Sequence, residues 1–184
     1  MSSTPDNIST RRLFVALWPD TAVRRSLEEL LERLPLKGGK AVPLENLHIT
    51  LNFLGPVAPD RRECIERVLA AVQGESFTLA FDTLGYFPRP RVLWLGAAQV
   101  PEALRHLSTA LNQGLQDCGF TPDSRLLVPL MTLRRKVNHS TPLHTVDPLI
   151  WVVRDFVLVE SVTLPAGAQY TVLGRWPLAE SDGS

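Results

Sequence analysis

The chain has 184 residues, 45% hydrophobic and 21% charged, with 19 Lys+Arg balanced by 19 Asp+Glu. That composition suits a globular protein with a sizeable core. It excludes coating of nucleic acid by bulk positive charge, but leaves room for a small basic cleft that grips one phosphate. No apolar run reaches transmembrane length, and the opening MSSTPDNISTRR has no signal-like apolar region.

Residues 1–10 and 180–184 read as disordered tails around a single bilobal domain spanning 1–184. RLFVALW (Arg12–Trp18) is a short apolar run stopped by Pro19-Asp20 and reads as a buried strand. Asp20 or Thr21 caps the next helix, whose Val23, Leu27, Leu30, Leu31 and Leu34 share a face. PLKGGKAVPLE reads as a loop. LHITLNFLG (Leu47–Gly55) is the second strand, and Asp60 opens a helix through Ile65, Val68, Leu69 and Val72.

Phe77–Phe87 and Arg91–Ala97 read as a hairpin joined by PRP. Pro101–Cys118 is a helix with a leucine stripe, ended by Gly119. Arg125–Val137, Asp155–Leu164 and Gln169–Leu178 are the remaining strands, and Asn138–Pro148 is the longest irregular loop. The order suggests an α+β fold with helices backing antiparallel-rich sheets. Cys64 and Cys118 lie in helices without metal-ligand spacing and read as two reduced thiols of a cytoplasmic protein. The four tryptophans, Trp18, Trp94, Trp151 and Trp176, read as packing residues.

Two strand-like stretches match. One reads His48-Ile49-Thr50-Leu51 and the other Leu130-Met131-Thr132-Leu133, each after a helix and a loop. Period-2 geometry puts His48 with Thr50, and Leu130 with Thr132, on one face of each strand. Two such strands, one in each half of the chain, are placed to face each other across a cleft. The bland reading is a half-buried strand histidine beside two β-forming threonines.

The paired motifs resemble those of the 2H phosphoesterases, and within them the bacterial RNA 2',3'-cyclic phosphodiesterases, also called 2'-5' RNA ligases. RLFVALWP, NLHITLNFLG, RVLWLG, GFTPDSRLLVP before TLRRK, and YTVLGRW extend the likeness over nearly the whole chain. The resemblance implies a bilobal α+β fold with pseudo-twofold symmetry, two antiparallel-rich sheets around a central cleft, and helices outside. It implies hydrolysis of 2',3'-cyclic phosphate RNA ends to 2'-phosphomonoesters, with 2'-5' ligation as the reverse reaction. No cofactor or metal is implied, no membrane, and no obligate protein partner.

The resemblance makes His48 the general acid, Thr50 and Thr132 phosphate donors, and Arg135 the arginine of the second motif. Strict alternation instead puts Arg134 on the Thr132 face, a conflict that a bulge resolves. Asn52 shares the parity of His48. Phe53 has the opposite parity, so it either stacks on a base or packs in the core. Tyr170 reads as framework of the second lobe. The departure is Leu130, which stands where the family has its second histidine, the general base. Losing such a base costs about a hundredfold to ten-thousandfold in rate. His139 lies nine residues further on and His144 shares its loop, while His106 is on a helix; none is positioned to replace it. The alternatives are a non-catalytic member that binds RNA ends or nucleotides, and a phosphodiesterase of small cyclic nucleotides.

Overall fold

The computed structural model describes residues 11–122, 127–139 and 144–181. The motif residues Arg125 and Leu126, part of the Asn138–Pro148 segment and most of both expected tails lie outside these. The elements are β1 (Arg11–Leu17), α1 (Thr21–Arg33), β2 (Lys40–Ala41), a 3-10 turn (Leu44–Asn46), β3 (Ile49–Pro56), α2 (Pro59–Ala71), β4 (Phe77–Phe87) and β5 (Val92–Gly96). Then come α3 (Glu102–Gln116), β6 (Leu130–Arg135), β7 (His144–Val153), β8 (Asp155–Leu164) and β9 (Gly167–Pro177).

The strands form two antiparallel sheets, ordered β3-β1-β8-β9 and β2-β6-β5-β4-β7. Apart from the two-residue β2, they correspond strand for strand, with β3 matching β6 and β1 matching β5. In each half a central strand leads through a helix to the inner strand, β1–α1–β3 and β5–α3–β6. This is the pseudo-twofold α+β architecture expected from the motifs.

Helix α1 starts where Asp20 accepts the Val23 N–H at 2.8 Å, and it buries Val23, Leu27 and Leu30. It contacts β7 of the five-stranded sheet, whereas α3 contacts β3 of the four-stranded one. The two halves thus exchange helices, and one continuous cluster of buried side chains runs through both. On β1, Leu13, Val15 and Leu17 belong to that cluster. Phe14 and Ala16 point to the opposite face, toward Trp18 and Tyr170.

Three expectations need correction. The loop PLKGGKAVPLE contains β2, a two-residue edge strand paired with β6 and too short to leave a periodic signal. The end of the supposed Asn138–Pro148 loop is the start of β7, whose Val146, Leu149, Trp151 and Val153 are buried. Pro148 disguises that strand, but β7 is at the sheet edge, where a missing N–H is tolerated. Finally, Cys64 and Cys118 are not reduced thiols. Packing of α2 on α3 brings their Cα atoms to 5.8 Å, and the two are joined by a disulfide.

Candidate active site

His48 stands immediately before β3, held from both sides of its ring. Its Nδ1 lies 2.7 Å from the Asn46 carbonyl oxygen and donates to it, and Nε2 is 3.1 Å from Thr50 Oγ1. With the Nδ1 proton so fixed, a neutral ring has a bare Nε2 that accepts from the threonine hydroxyl. Three aromatic rings enclose the imidazole. Trp18 stacks on it at 5.2 Å, Phe14 lies 5.0 Å away, and Tyr170 meets it edge-on at 5.2 Å. Burial lowers the pKa of His48 below the ordinary histidine value, and Arg135 and Arg24 lower it further by charge repulsion. The Asn46 hydrogen bond pulls the other way.

Arg24 supports this arrangement from behind. Its Nη1 donates to the carbonyls of Leu44 and Leu47, on either side of Asn46, and its guanidinium lies 5.4 Å from the Trp18 ring centre.

Strand β3 carries two register slips against β1. Phe14 faces Phe53, Val15 faces Asn52 and Ala16 faces Thr50, so Leu51 and Leu54 are extra residues. The bulge at Leu51 inverts the parity of the residues beyond it. Phe53 therefore joins the His48–Thr50 face, where it is 83% exposed beside the cleft. Asn52 turns to the other face, and its Nδ2 donates to Asn112 Oδ1 of α3 at 2.7 Å. The structure thus parts Asn52 from His48 and brings Phe53 to it, the reverse of strict alternation.

Across the cleft, β6 approaches β3 and presents Leu130 and Thr132. It too slips by one residue, since Trp94 faces Thr132 while Leu93 faces Arg134. The extra Leu133 turns Arg135 to the Thr132 side, where it lines the cleft. Arg134 instead donates from Nε to the Gly38 carbonyl at 2.7 Å.

The cleft is a cavity of about 950 Å³. Among the described residues its wall holds four cations, Arg12, Lys40, Arg135 and Lys136, and no carboxylate. A chain of zero net charge has therefore concentrated positive potential at one place. His48 is the one histidine among the described residues of that wall. His139 is exposed, with its ring against Gly38, and His106 is exposed on α3. His144 is on β7, three strands beyond β6.

Sequence reasoning missed several of these neighbours. Phe14 and Trp18 lie four residues apart in RLFVALW and so share one face of the strand, a signal open to reading but masked by general hydrophobicity. Tyr170 is corrected from second-lobe framework to a member of the His48 sheet, because β9 joins β1 through β8.

Comparison with known proteins agrees with this geometry. The family model described as LigT like Phosphoesterase matches residues 17–94. The RNA 2',3'-cyclic phosphodiesterase of Archaeoglobus fulgidus is 34% identical over 169 residues, covering 86% of this chain and 96% of the relative. The crystal structure of Escherichia coli LigT in apo form superposes with a TM-score of 0.80 at 29% identity, over 92% of this chain and 98% of that one. Escherichia coli LigT complexed with 3'-AMP gives a TM-score of 0.79 at the same identity, over 91% and 98%. With a relative of that identity matched over nearly its whole length, and with both motif strands facing one cleft, the chain belongs to the LigT-like RNA 2',3'-cyclic phosphodiesterases of the 2H phosphoesterase family.

Proposed function

We propose that this chain takes RNA ends carrying a 2',3'-cyclic phosphate and opens them to 2'-phosphomonoesters, at a rate held low by Leu130. One observation carries the reading: His48–Thr50 and Leu130–Thr132 line a single cationic cleft from its two sides. In the hydrolysis, water oxygen bonds to phosphorus as the bond from phosphorus to the ribose 3' oxygen breaks. His48 Nε2 gives its proton to that leaving oxygen, and the hydroxyls of Thr50 and Thr132, with Arg135, stabilise the charge gathering on the non-bridging oxygens. Because Nδ1 is committed to Asn46, His48 acts as an acid only in its imidazolium form, which an anionic phosphate beside it favours.

On the attacking side stands a leucine. It accepts no proton, so the water's proton leaves to solvent without a positioned base. The same cleft retains every other phosphate-binding group, which also supports a second reading: a member that holds RNA ends without turning them over. An RNA substrate implies the cytoplasm as the compartment, where the Cys64–Cys118 bond has to withstand a reducing thiol pool.

The test is hydrolysis of a short RNA ending in a 2',3'-cyclic phosphate, comparing the chain as it stands with Leu130→His. A rise of about a hundredfold or more in 2'-phosphate formation supports the assignment. Equal turnover by both forms removes position 130 from the chemistry. Tight binding of the RNA end with no turnover by either form favours the binding protein.

A further inference from the structure

His48 is held in the less common of its two neutral forms. Free histidine favours the proton on Nε2, yet here Nδ1 carries it and donates to the Asn46 carbonyl. The reverse tautomer would set a bare nitrogen against that oxygen. The place of one backbone carbonyl therefore decides which ring nitrogen is free to act beside Thr50. The turn itself holds that carbonyl weakly. Asn46 ends a 3-10 turn of three residues, Leu44–Asn46. Its backbone bonds run from the Asn46 N–H to the Pro43 carbonyl at 2.9 Å and from the Leu47 N–H to the Leu44 carbonyl at 3.3 Å. Hydrogen-bond geometry in such turns is poor, and Glu45 at its centre is exposed to solvent.

Arg24 adds the hold that the turn lacks. A single nitrogen, Nη1, donates to the Leu44 carbonyl and to the Leu47 carbonyl, clasping the turn on both sides of Asn46. The guanidinium also lies over Trp18, whose ring stacks on the imidazole. One side chain thus fixes both the carbonyl that meets His48 and the ring that lies against its face. Its other nitrogen, Nη2, is buried with no partner among the described residues. An unmet donor is costly, which makes sense in a group placed for its grip on the turn rather than for stability. Arg24 belongs to α1, and α1 rests on β7 of the five-stranded sheet. The histidine of one half is therefore aimed from a helix seated on the other.

Resting on the function proposed above, we propose that Arg24 is the positioning residue of His48. Through the Leu44–Asn46 turn and Trp18 it holds the ring in the orientation and tautomer that leave Nε2 beside Thr50. Without that hold the ring turns over or exchanges tautomers, and the proton for the leaving ribose oxygen is no longer carried at the right place. Arg24 itself touches neither the substrate nor the reacting atoms in this account; it acts through His48.

The experiment follows the ring nitrogens of His48 by nitrogen NMR in the full chain, comparing the wild type with Arg24→Met. Methionine keeps length and bulk beside Trp18 but removes the donors and the charge. With the ring neutral, the wild type should show Nδ1 protonated and Nε2 bare, and Arg24→Met should show a mixture of both tautomers. Arg24→Lys, which keeps charge and donors on a shorter stem, should restore part of the wild-type pattern. In the Leu130→His background, Arg24→Met should lower kcat on an RNA 2',3'-cyclic phosphate by about tenfold to hundredfold and leave KM nearly unchanged. An unchanged tautomer with a raised His48 titration midpoint means that Arg24 acts by its charge alone, and overturns the proposal. So does a wild-type ring protonated on Nε2. A shifted tautomer with an unchanged kcat overturns the part in the reaction. If Leu130→His turns nothing over, the function proposed above fails, and the tautomer still decides whether Arg24 holds the ring. Should Arg24→Met not fold, the wild-type chain decides: the Nη1 protons of Arg24, shared between two carbonyls, should exchange slowly with solvent, and free rotation of the guanidinium overturns the hold.

Discussion

Lys40 stands directly opposite Arg135 in the antiparallel pair of β2 and β6, so two cations face each other across a strand edge. Like charges in that position are destabilising by up to about 1 kcal/mol. Both side chains line the cleft beside Thr132. The arrangement makes sense where an anion is to be held between them. Lys40→Ala is therefore expected to raise the stability of the free protein by a few tenths of a kcal/mol while weakening the binding of a phosphate-terminated RNA by about threefold to tenfold. Urea titration and a binding isotherm at two salt concentrations check both halves. Lower stability together with unchanged affinity contradicts the account.

Arg134 and Arg135 adjoin in sequence but differ in role. Arg135→Gln is expected to weaken phosphate binding about tenfold or more, as loss of a charge-assisted contact does. Arg134→Gln loses the bond to Gly38 and with it some order in the loop before β2, leaving affinity within about threefold. Equal losses from both variants count against the bulge at Leu133 as the device that separates them.

The legible and the hidden parts of this sequence divide along physical lines. The motif strands and their helices were legible because local periodicity and capping determine them. Arg135 needed a bulge that the motif demanded and alternation alone denied. Strict alternation gives Asn52 and Phe53 the wrong parity, since one extra residue at Leu51 reverses the side chains that follow it. Tyr170 and the cysteine pair depend on contacts between distant segments. A sheet order of β3-β1-β8-β9 and a bridge across a sequence separation of 54 leave no local trace.

The disulfide closes a long loop that includes β4, β5 and α3. By the chain-entropy account, such a crosslink stabilises by about 2–4 kcal/mol. Reduction, or the double variant Cys64→Ser with Cys118→Ser, should lower the unfolding free energy by that order. The cavity lined by Phe120 should loosen as well, because the Cys118 carbonyl anchors Arg61, whose guanidinium lies over the Phe120 ring at 4.1 Å. Chemical denaturation with and without reductant measures the first effect. An unchanged midpoint means that the bond contributes nothing.

His48 links stability to pH. Its pKa is lowered in the folded protein, chiefly by burial, so the unfolded chain binds the proton first as pH falls. The contribution is fully present above the unfolded value of about 6.5. It declines as pH drops below that value and is gone once the folded pKa has been passed. His48→Asn should flatten the dependence of unfolding free energy on pH in that window, relative to the wild type. Trp18→Ala, which opens one face of the ring to water, should move the His48 titration upward in an NMR experiment. A downward shift, or none, means that Trp18 does not desolvate the ring.

The indole of Trp94 lies flat across Gly85 on the neighbouring strand, so close that a β-carbon at position 85 would overlap its six-membered ring. Trp94 is also the cross-strand partner of Thr132, and its edge adjoins Gly96 beside Leu130. The motif threonine of the second half is thus set by a tryptophan that only a glycine admits. Gly85→Ala should force the indole aside at a cost of about 1–3 kcal/mol, the usual range for overpacking a tight site. The displaced ring should carry Thr132 with it, weakening RNA-end binding. Gly55→Ala is the contrast, because a β-carbon there meets nothing within 4 Å; at φ +71° it carries only the backbone penalty of about 1 kcal/mol. If the two variants lose stability equally and both keep full affinity, Trp94 does not position Thr132. If Gly85→Ala alone weakens binding, the second half of the site is built from β5 outward.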